Sequence, residues 1–428
     1  MADDRPLDRF GISPPPAYDM TSWRLPFPLR DFQEEAIKEL IAKGRGTVLL
    51  PTGAGKTHVA IALLLELRQP MVVLVPTKAL IDTTWLPKLL EGGIHAGVYF
   101  GEEKRPGFVT LATYQTLMRN PEAIRAFPIV VFDEGDLSVG PVWRKVLEEA
   151  KTHPYAMVMT ATLPTDNERR RELLADFPVL VRRSPREMIE AGHFVPVEVL
   201  QRVVQLSPDA KAAYDKFDQH ARNLRFRLGT GSIPAIQRIL AGSRGRDMAA
   251  VAGAYLRTLQ QRSTVLANVP ERAPIALDIA RAHPGERIIL FGTRVEPLAE
   301  ICAYLTSNGV PCRVISGETG RSDRQAIFQH WGRDVPVIGS VDVLTRGIDV
   351  PEASVAVLMG GGAGERRLIQ RVGRIVRPAP GKTVATVYVM TARGTNEERL
   401  YEAARRRFAG GKYIEERGEP EDDGGEPE

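Results

Sequence analysis

Short apolar runs, each about the length of a buried strand, recur through this chain and alternate with stretches of helical spacing. Residues 47–50, 71–75, 109–112, 129–132 and 156–160 are such runs. Ahead of the first, residues 31–43 place Phe32, Ala36, Ile37, Leu40 and Ile41 at helical spacing. A strand that is apolar throughout needs cover on both faces, and strands joined through helices lie parallel. The pattern then returns at residues 287–291, 312–315, 335–339, 355–359 and 383–389. The expected fold class is α/β, with two parallel-sheet domains in tandem.

With 428 residues and 43% hydrophobic content, the chain can bury two or three cores. Residues 1–28 are rich in proline, with Pro14, Pro15, Pro16, Pro26 and Pro28, and read as an irregular lead-in. The first α/β domain is expected over 29–183 and the second over 274–395. Residues 184–273 differ in character and form a linker followed by a mainly helical, basic insertion. Residues 396–428 read as a helix and an acidic tail, since 415–428 hold eight acidic residues and one arginine.

Lys+Arg number 57 and Asp+Glu 53, so net charge alone does not demand a polyanionic partner. No apolar run reaches the length of a membrane span, and Met1 to Arg9 lack a signal core. No membrane association is expected. With Cys302 and Cys312 as the only cysteines, no disulfide framework or zinc site is expected. They read as buried small residues, and the expected location is cytoplasmic, nucleoid-associated in a prokaryote.

Residues 50–57, Leu-Pro-Thr-Gly-Ala-Gly-Lys-Thr, join the first strand to an apolar helix. Leu50 stands where the strict GxxxxGK[ST] pattern has its first glycine, leaving the shorter form that begins at Thr52. Gly53 and Gly55 let backbone N–H groups close around phosphate oxygens. Lys56 reaches the β and γ phosphates, and the Thr57 hydroxyl suits Mg²⁺. Residues 130–136, Val-Val-Phe-Asp-Glu-Gly-Asp, end a second strand in two carboxylates. Asp133 suits Mg²⁺, and Glu134 suits orienting and deprotonating a water.

The motifs, in this order, resemble superfamily 2 helicases, most closely the XPB-like (DEAH-type) DNA helicase branch, over residues 29–380. The resemblance implies two RecA-like domains with ATP bound between them. It implies that Gln33, in Leu29-Arg-Asp-Phe-Gln, reads adenine. Residues 75–80 are similar to motif Ia and 113–117 to a later strand-contacting motif, giving Thr77 and Thr113 as nucleic-acid contacts. Residues 160–164, Thr-Ala-Thr-Leu-Pro, resemble motif III, which couples ATP state to nucleic-acid grip. Residues 289–293 resemble motif IV, with Thr293, and 340–351 motif V, with Thr345 on nucleic acid and Asp349 at the nucleotide. Residues 370–377 resemble motif VI, giving Gln370 and the arginine fingers Arg374 and Arg377 as catalytic. Two departures stand out. Asp136 occupies a position where the family has His, and Thr165-Asp166-Asn167 replaces an Arg-Glu-Asp element.

From Gln219 to Arg262 there are eight arginines and one acid, Asp247, with Phe226 and Tyr255 interleaved. Arg238, Arg244 and Arg246 are the candidate phosphate contacts; a solvated helical face is the other reading. The family has a thumb-like insertion here. The implied activity is ATP-dependent movement along, or remodelling of, single-stranded or forked DNA, with a nuclease or a repair or transcription protein as partner. An ATP-gated DNA clamp or nuclease scaffold that does not separate strands stays open, as does an RNA helicase.

Overall fold

The computed structural model describes residues 20–137, 144–164, 166–341, 353–360, 371–373 and 375–408. Thr345, Asp349, Gln370, Arg374, most of the proline-rich lead-in and the acidic tail lie outside the described residues. Among those described, the chain divides into two compact units, the first ending at Met188 and the second beginning at Ile189.

In the first unit, α1 (Asp31–Lys43) precedes β1 (Arg45–Leu49), and α2 (Lys56–Leu67) follows it. The remaining strands are β2 (Met71–Val75), β3 (Ala96–Phe100), β4 (Glu103–Arg105), β5 (Val109–Thr113), β6 (Ile129–Asp133), β7 (Tyr155–Thr160) and β8 (Val179–Arg182). The sheet order is β4-β3-β5-β2-β6-β7-β1-β8. Neighbours are parallel except for the β3–β4 pair. Every residue of β2 and β6 is buried, as strands covered by helices on both faces require. Each fully buried Val, Leu or Ile contributes about 1.5–3 kcal/mol relative to exposure.

The second unit holds β9 (Val197–Val204), β10 (Ile288–Gly292), β11 (Cys312–Ile315), β12 (Val337–Val341), β13 (Val355–Leu358) and β14 (Ala385–Ala392). Their order is β11-β12-β10-β13-β14-β9, parallel throughout. β9 comes from the stretch expected to act only as a linker; it pairs with β14 along its whole length. Two long helices follow it, α3 (Pro208–Leu228) and α4 (Gly245–Ala267). They share a small core of their own, including Ala221, Leu224, Leu228, Ile239 and Tyr255. α5 (Arg272–Ala282) and α6 (Val295–Ser307) cover the sheet.

Cys302 and Cys312 are both buried, but they are not independent. They form a disulfide, with Cα atoms 5.0 Å apart. No helix among the described residues is long and apolar enough to cross a membrane.

Candidate active site

The chemistry of the first unit gathers along one edge of its sheet. Parallel strands all end on the same side, so the loops leaving β1, β2, β5, β6 and β7 share that edge. They carry the 50–57 turn, Thr77, Thr113, Asp133–Asp136 and Thr160–Thr162 respectively.

The turn after β1 depends on glycine. Gly53 and Gly55 have φ of 94° and 82°, a region other residues enter at a cost. A Cβ on Gly55 would lie 2.5 Å from the Gln33 amide nitrogen. Gln33 is 3% exposed; its Nε2 donates to Ala54 O at 2.9 Å and its Oε1 accepts from Arg30 N at 2.9 Å. The carboxamide therefore braces the loop backbone, and Oε1 keeps a second lone pair that could accept from a base. Lys56 Nζ donates to Leu50 O at 3.0 Å and Pro51 O at 3.3 Å, which holds the ammonium over the turn. Among the described residues, the buried Thr52 hydroxyl has no hydrogen-bond partner. An orphaned hydroxyl and a cation in a loop with left-handed glycines suit a polyphosphate.

At the end of β6, Asp133 is 8% exposed. Burial, reinforced by the Glu134 carboxylate, pushes its carboxyl up from 3.8 to about 6. Hydrogen bonding from Trp85, the Lys56 charge and the Glu134 N–H act in the opposite direction. Trp85 Nε1 donates to Oδ2 at 2.9 Å, and the Glu134 N–H donates to Oδ1 at 3.0 Å. A divalent cation would relieve the strain of this buried charge, so Asp133 fits the metal role. Glu134 has φ of 53°, uncommon for a residue with a side chain, and such outliers cluster at functional sites.

Asp136 accepts a hydrogen bond from Thr160 Oγ1 at 3.0 Å. The same hydroxyl lies 2.8 Å from Thr162 O, so its one proton has two acceptors within reach. Asp136 thus connects the loops after β6 and β7. Asp166, within the second departure, caps the helix Asn167–Asp176 by accepting from Glu168 N at 3.1 Å and Arg169 N at 3.0 Å. Thr113 Oγ1 pairs with Thr116 Oγ1 at 2.9 Å, and the buried Thr77 hydroxyl has no hydrogen-bond partner among the described residues.

In the second unit, Thr293 follows β10 and is half-buried, as is Arg377. Arg371 is 1% exposed; its Nη2 donates to Gly292 O at 2.8 Å and its guanidinium lies 5.4 Å from the Phe291 ring. A buried pair joins Arg272 Nη2 to Glu397 Oε2 at 2.8 Å. A Cβ on Gly360, which has φ of 74°, would strike both side chains, so the glycine after β13 is required by packing. On the helical insertion, Arg238, Arg244 and Arg246 are exposed, and Arg244 Nη1 also donates to Leu228 O at 2.9 Å. Arg222 and Arg262 share the Asp218 carboxylate, which offsets one of their two charges. The two interleaved aromatics separate: Tyr255 is 6% exposed in the local core, whereas Phe226 is 88% exposed.

Residues 26–165 match the family described as type III restriction enzyme, res subunit, and residues 271–379 match the helicase conserved C-terminal domain. The chain is 28% identical over 396 residues to the DNA 3'-5' translocase XPB2 of Sulfurisphaera tokodaii, covering 88% of this chain and 86% of that one. It is 27% identical to the DNA 3'-5' helicase XPB of Mycobacterium tuberculosis, covering 89% of this chain and 63% of that one.

The chain belongs to the XPB-like branch of the superfamily 2 helicases.

Its fold is also similar to the Hef helicase domain of Pyrococcus furiosus, with a TM-score of 0.52 at 18% identity, covering 88% of this helicase and 98% of that chain. No local sequence pattern points to the Trp85 and Tyr114 contacts with Asp133. The one signal in the sequence is that Tyr114 directly follows Thr113 and Trp85 lies eight residues beyond Thr77.

Proposed function

We propose that this helicase hydrolyses ATP to drive movement along DNA, or its remodelling. The observation that carries this reading is the joint placement of Lys56, Asp133 and Glu134 at one sheet edge, with Asp133 buried and raised to about 6. Lys56 would exchange its loop carbonyls for the β and γ phosphate oxygens. Thr57 and Asp133 would hold Mg²⁺, which supplies charge neutralisation at the phosphates when bound. Glu134 would accept a proton from the attacking water. Arg377, with Arg374 and Gln370 beside it in sequence, would stabilise charge developing on the γ-phosphate. Phe27, 51% exposed with its ring 5.2 Å from that of His58, offers a face for the base, with Gln33 at its edge.

DNA as the track is proposed from the relatives, a DNA translocase and a DNA helicase by name. Thr77 and Thr113 in the first unit, and Thr293 and Thr345 in the second, would touch the strand. Arg238 and Arg246 would hold phosphates, and exposed Phe226 would stack on a base. The link between Asp136 and Thr160 supports a motor over a static clamp, because it joins the hydrolytic loop to the loop that resembles motif III.

ATP turnover measured with single-stranded, duplex and forked DNA and with RNA tests the reading, alongside strand displacement. DNA should stimulate more than RNA, and Lys56→Ala should abolish turnover while leaving thermal unfolding unchanged. Turnover near wild type in Lys56→Ala would overturn the ATPase assignment. Stimulation by RNA alone would transfer the track to RNA. Turnover without movement or displacement would favour the clamp.

A further inference from the structure

We infer that Trp85 and Tyr114 are positioning residues through which nucleic acid, held at Thr77 and Thr113, sets the aim of the Asp133 carboxylate. The inference rests on the proposed reading of those two threonines as strand contacts.

Both threonines are followed by a side chain that ends on Asp133. Thr77 begins the helical stretch of residues 78–91. Within it, Ile81–Trp85 forms a π turn, closed by the Leu86 N–H bonding to Ile81 O. An extra residue in a turn re-aims the side chains beyond it, and π turns concentrate at functional sites. Trp85, at the end of the turn, is wholly buried and donates to Asp133 Oδ2 at 2.9 Å. Thr113 ends β5, and the next residue, Tyr114, is also wholly buried. Its hydroxyl donates to Asp133 O at 3.0 Å, and its ring lies 6.2 Å from that of Phe132 in a stacked arrangement.

A core position alone would not need these donors. An indole N–H only donates, and when buried it requires an acceptor. Here the acceptor is the carboxylate proposed above as a Mg²⁺ ligand, and its other oxygen accepts from Glu134 N. The direction of the carboxylate is therefore set from one side by Trp85. Tyr114 fixes the carbonyl that leads directly into Glu134, the residue with left-handed backbone. A shift of the 78–91 helix or of the turn after β5 moves one of these donors, and with it a group at the hydrolytic centre. Linkage makes the effect reciprocal: if nucleic acid resets Asp133 through these bonds, metal-bound nucleotide must alter nucleic-acid affinity through them too.

The test compares the full wild-type chain with Trp85→Phe and Tyr114→Phe. Three quantities are measured: the ratio of ATP turnover with and without single-stranded DNA, the oligonucleotide Kd with and without Mg²⁺ and a non-hydrolysable ATP analogue, and Tm. In both variants the turnover ratio and the nucleotide-linked change in Kd should shrink by at least about fivefold, the lower end of typical coupling between sites. The Kd without nucleotide should stay near wild type. A purely structural role would lower Tm and scale both turnover rates alike, leaving the ratio intact; that result overturns the inference. If Trp85→Phe does not fold, Tyr114→Phe, which loses only a hydroxyl, decides. A stimulated wild type with unaffected variants refutes this inference alone. A wild type that DNA does not stimulate refutes the proposed function as well.

Discussion

Replacing Asp133 by Asn should make the first unit more stable while removing its activity. Asp133 is pushed from 3.8 to about 6 by burial and by Glu134, so the folded state favours the protonated form. Its stabilising contribution is complete below pH 3.8 and is lost as pH rises through about 6. Above that range, ionised Asp133 withholds about 3 kcal/mol from the folded state, at 1.36 kcal/mol for each tenfold change in proton affinity. Asparagine carries no charge at any pH, but its NH₂ must face either Trp85 Nε1 or the Glu134 N–H, both of which now donate to the carboxylate. Leaving that buried donor unpaired costs roughly 1–3 kcal/mol. The net gain at pH 8 is up to about 2 kcal/mol, a rise of up to roughly 4–8 °C in the unfolding of a unit this size. At pH 5 the electrostatic gain is about half as large, because wild-type Asp133 is then mostly protonated. Thermal unfolding in EDTA at pH 8 and pH 5 measures this directly. Added Mg²⁺ with nucleotide should stabilise wild type more than the variant. An Asp133→Asn Tm at or below wild type at pH 8, with no pH-dependent difference, would refute the claim that this carboxylate is held at a cost.

Replacing Arg238, Arg244 and Arg246 together by Ala should weaken DNA binding about equally across sequences and lower the slope of log K against log salt. Each lost phosphate contact contributes roughly 0.7–0.9 to that slope. Arg244 also holds Leu228 O, so the change should be nearer two contacts than three; an unchanged slope would make these arginines a solvated face. Arg377→Ala should reduce single-turnover hydrolysis by about a thousandfold or more with saturating DNA, while ATP affinity falls far less. Arg377→Lys should rescue it incompletely, because lysine lacks the planar fork; a wild-type single-turnover rate in Arg377→Ala would remove Arg377 from the chemistry.

What the sequence made legible was chemistry confined to short spans. Gly53, Gly55, Lys56 and Thr57 lie within one turn, and Asp133 and Glu134 at one strand end, so spacing alone marks them as candidates. Contacts closed by the fold were not legible. Trp85 is 48 residues from Asp133 and Arg272 is 125 from Glu397; no local pattern announces either pair. Strand β9 was missed because its residues, Val-Glu-Val-Leu-Gln-Arg-Val-Val, mix polar and apolar at a sheet edge, where only part of a strand needs cover. The β3–β4 hairpin was missed for the same reason, β4 being fully exposed. Asp218, one residue before the 219–262 stretch, pairs with two of its eight arginines and offsets the charge of one. Composition could not separate Phe226 from Tyr255 either, since one faces solvent and the other closes a core between two helices.

The departure at Asp136 shows how residue identity and physical role can part. Histidine at that position would offer a ring nitrogen whose role depends on its tautomer, whereas a carboxylate accepts from Thr160 whatever the state of its neighbours. Thr160 is wholly buried at the end of β7, and β7 is the direct neighbour of β6. Thr160 Oγ1 has one proton and two acceptors, Asp136 Oδ1 and Thr162 O. A hydroxyl shared in this way can turn from one loop to the other without leaving a buried donor unsatisfied, so the exchange avoids the desolvation cost that would lock a single arrangement. Asp136 therefore ties the loop after β6 to the loop after β7 through a bond that can be exchanged, a connection that a static clamp does not require.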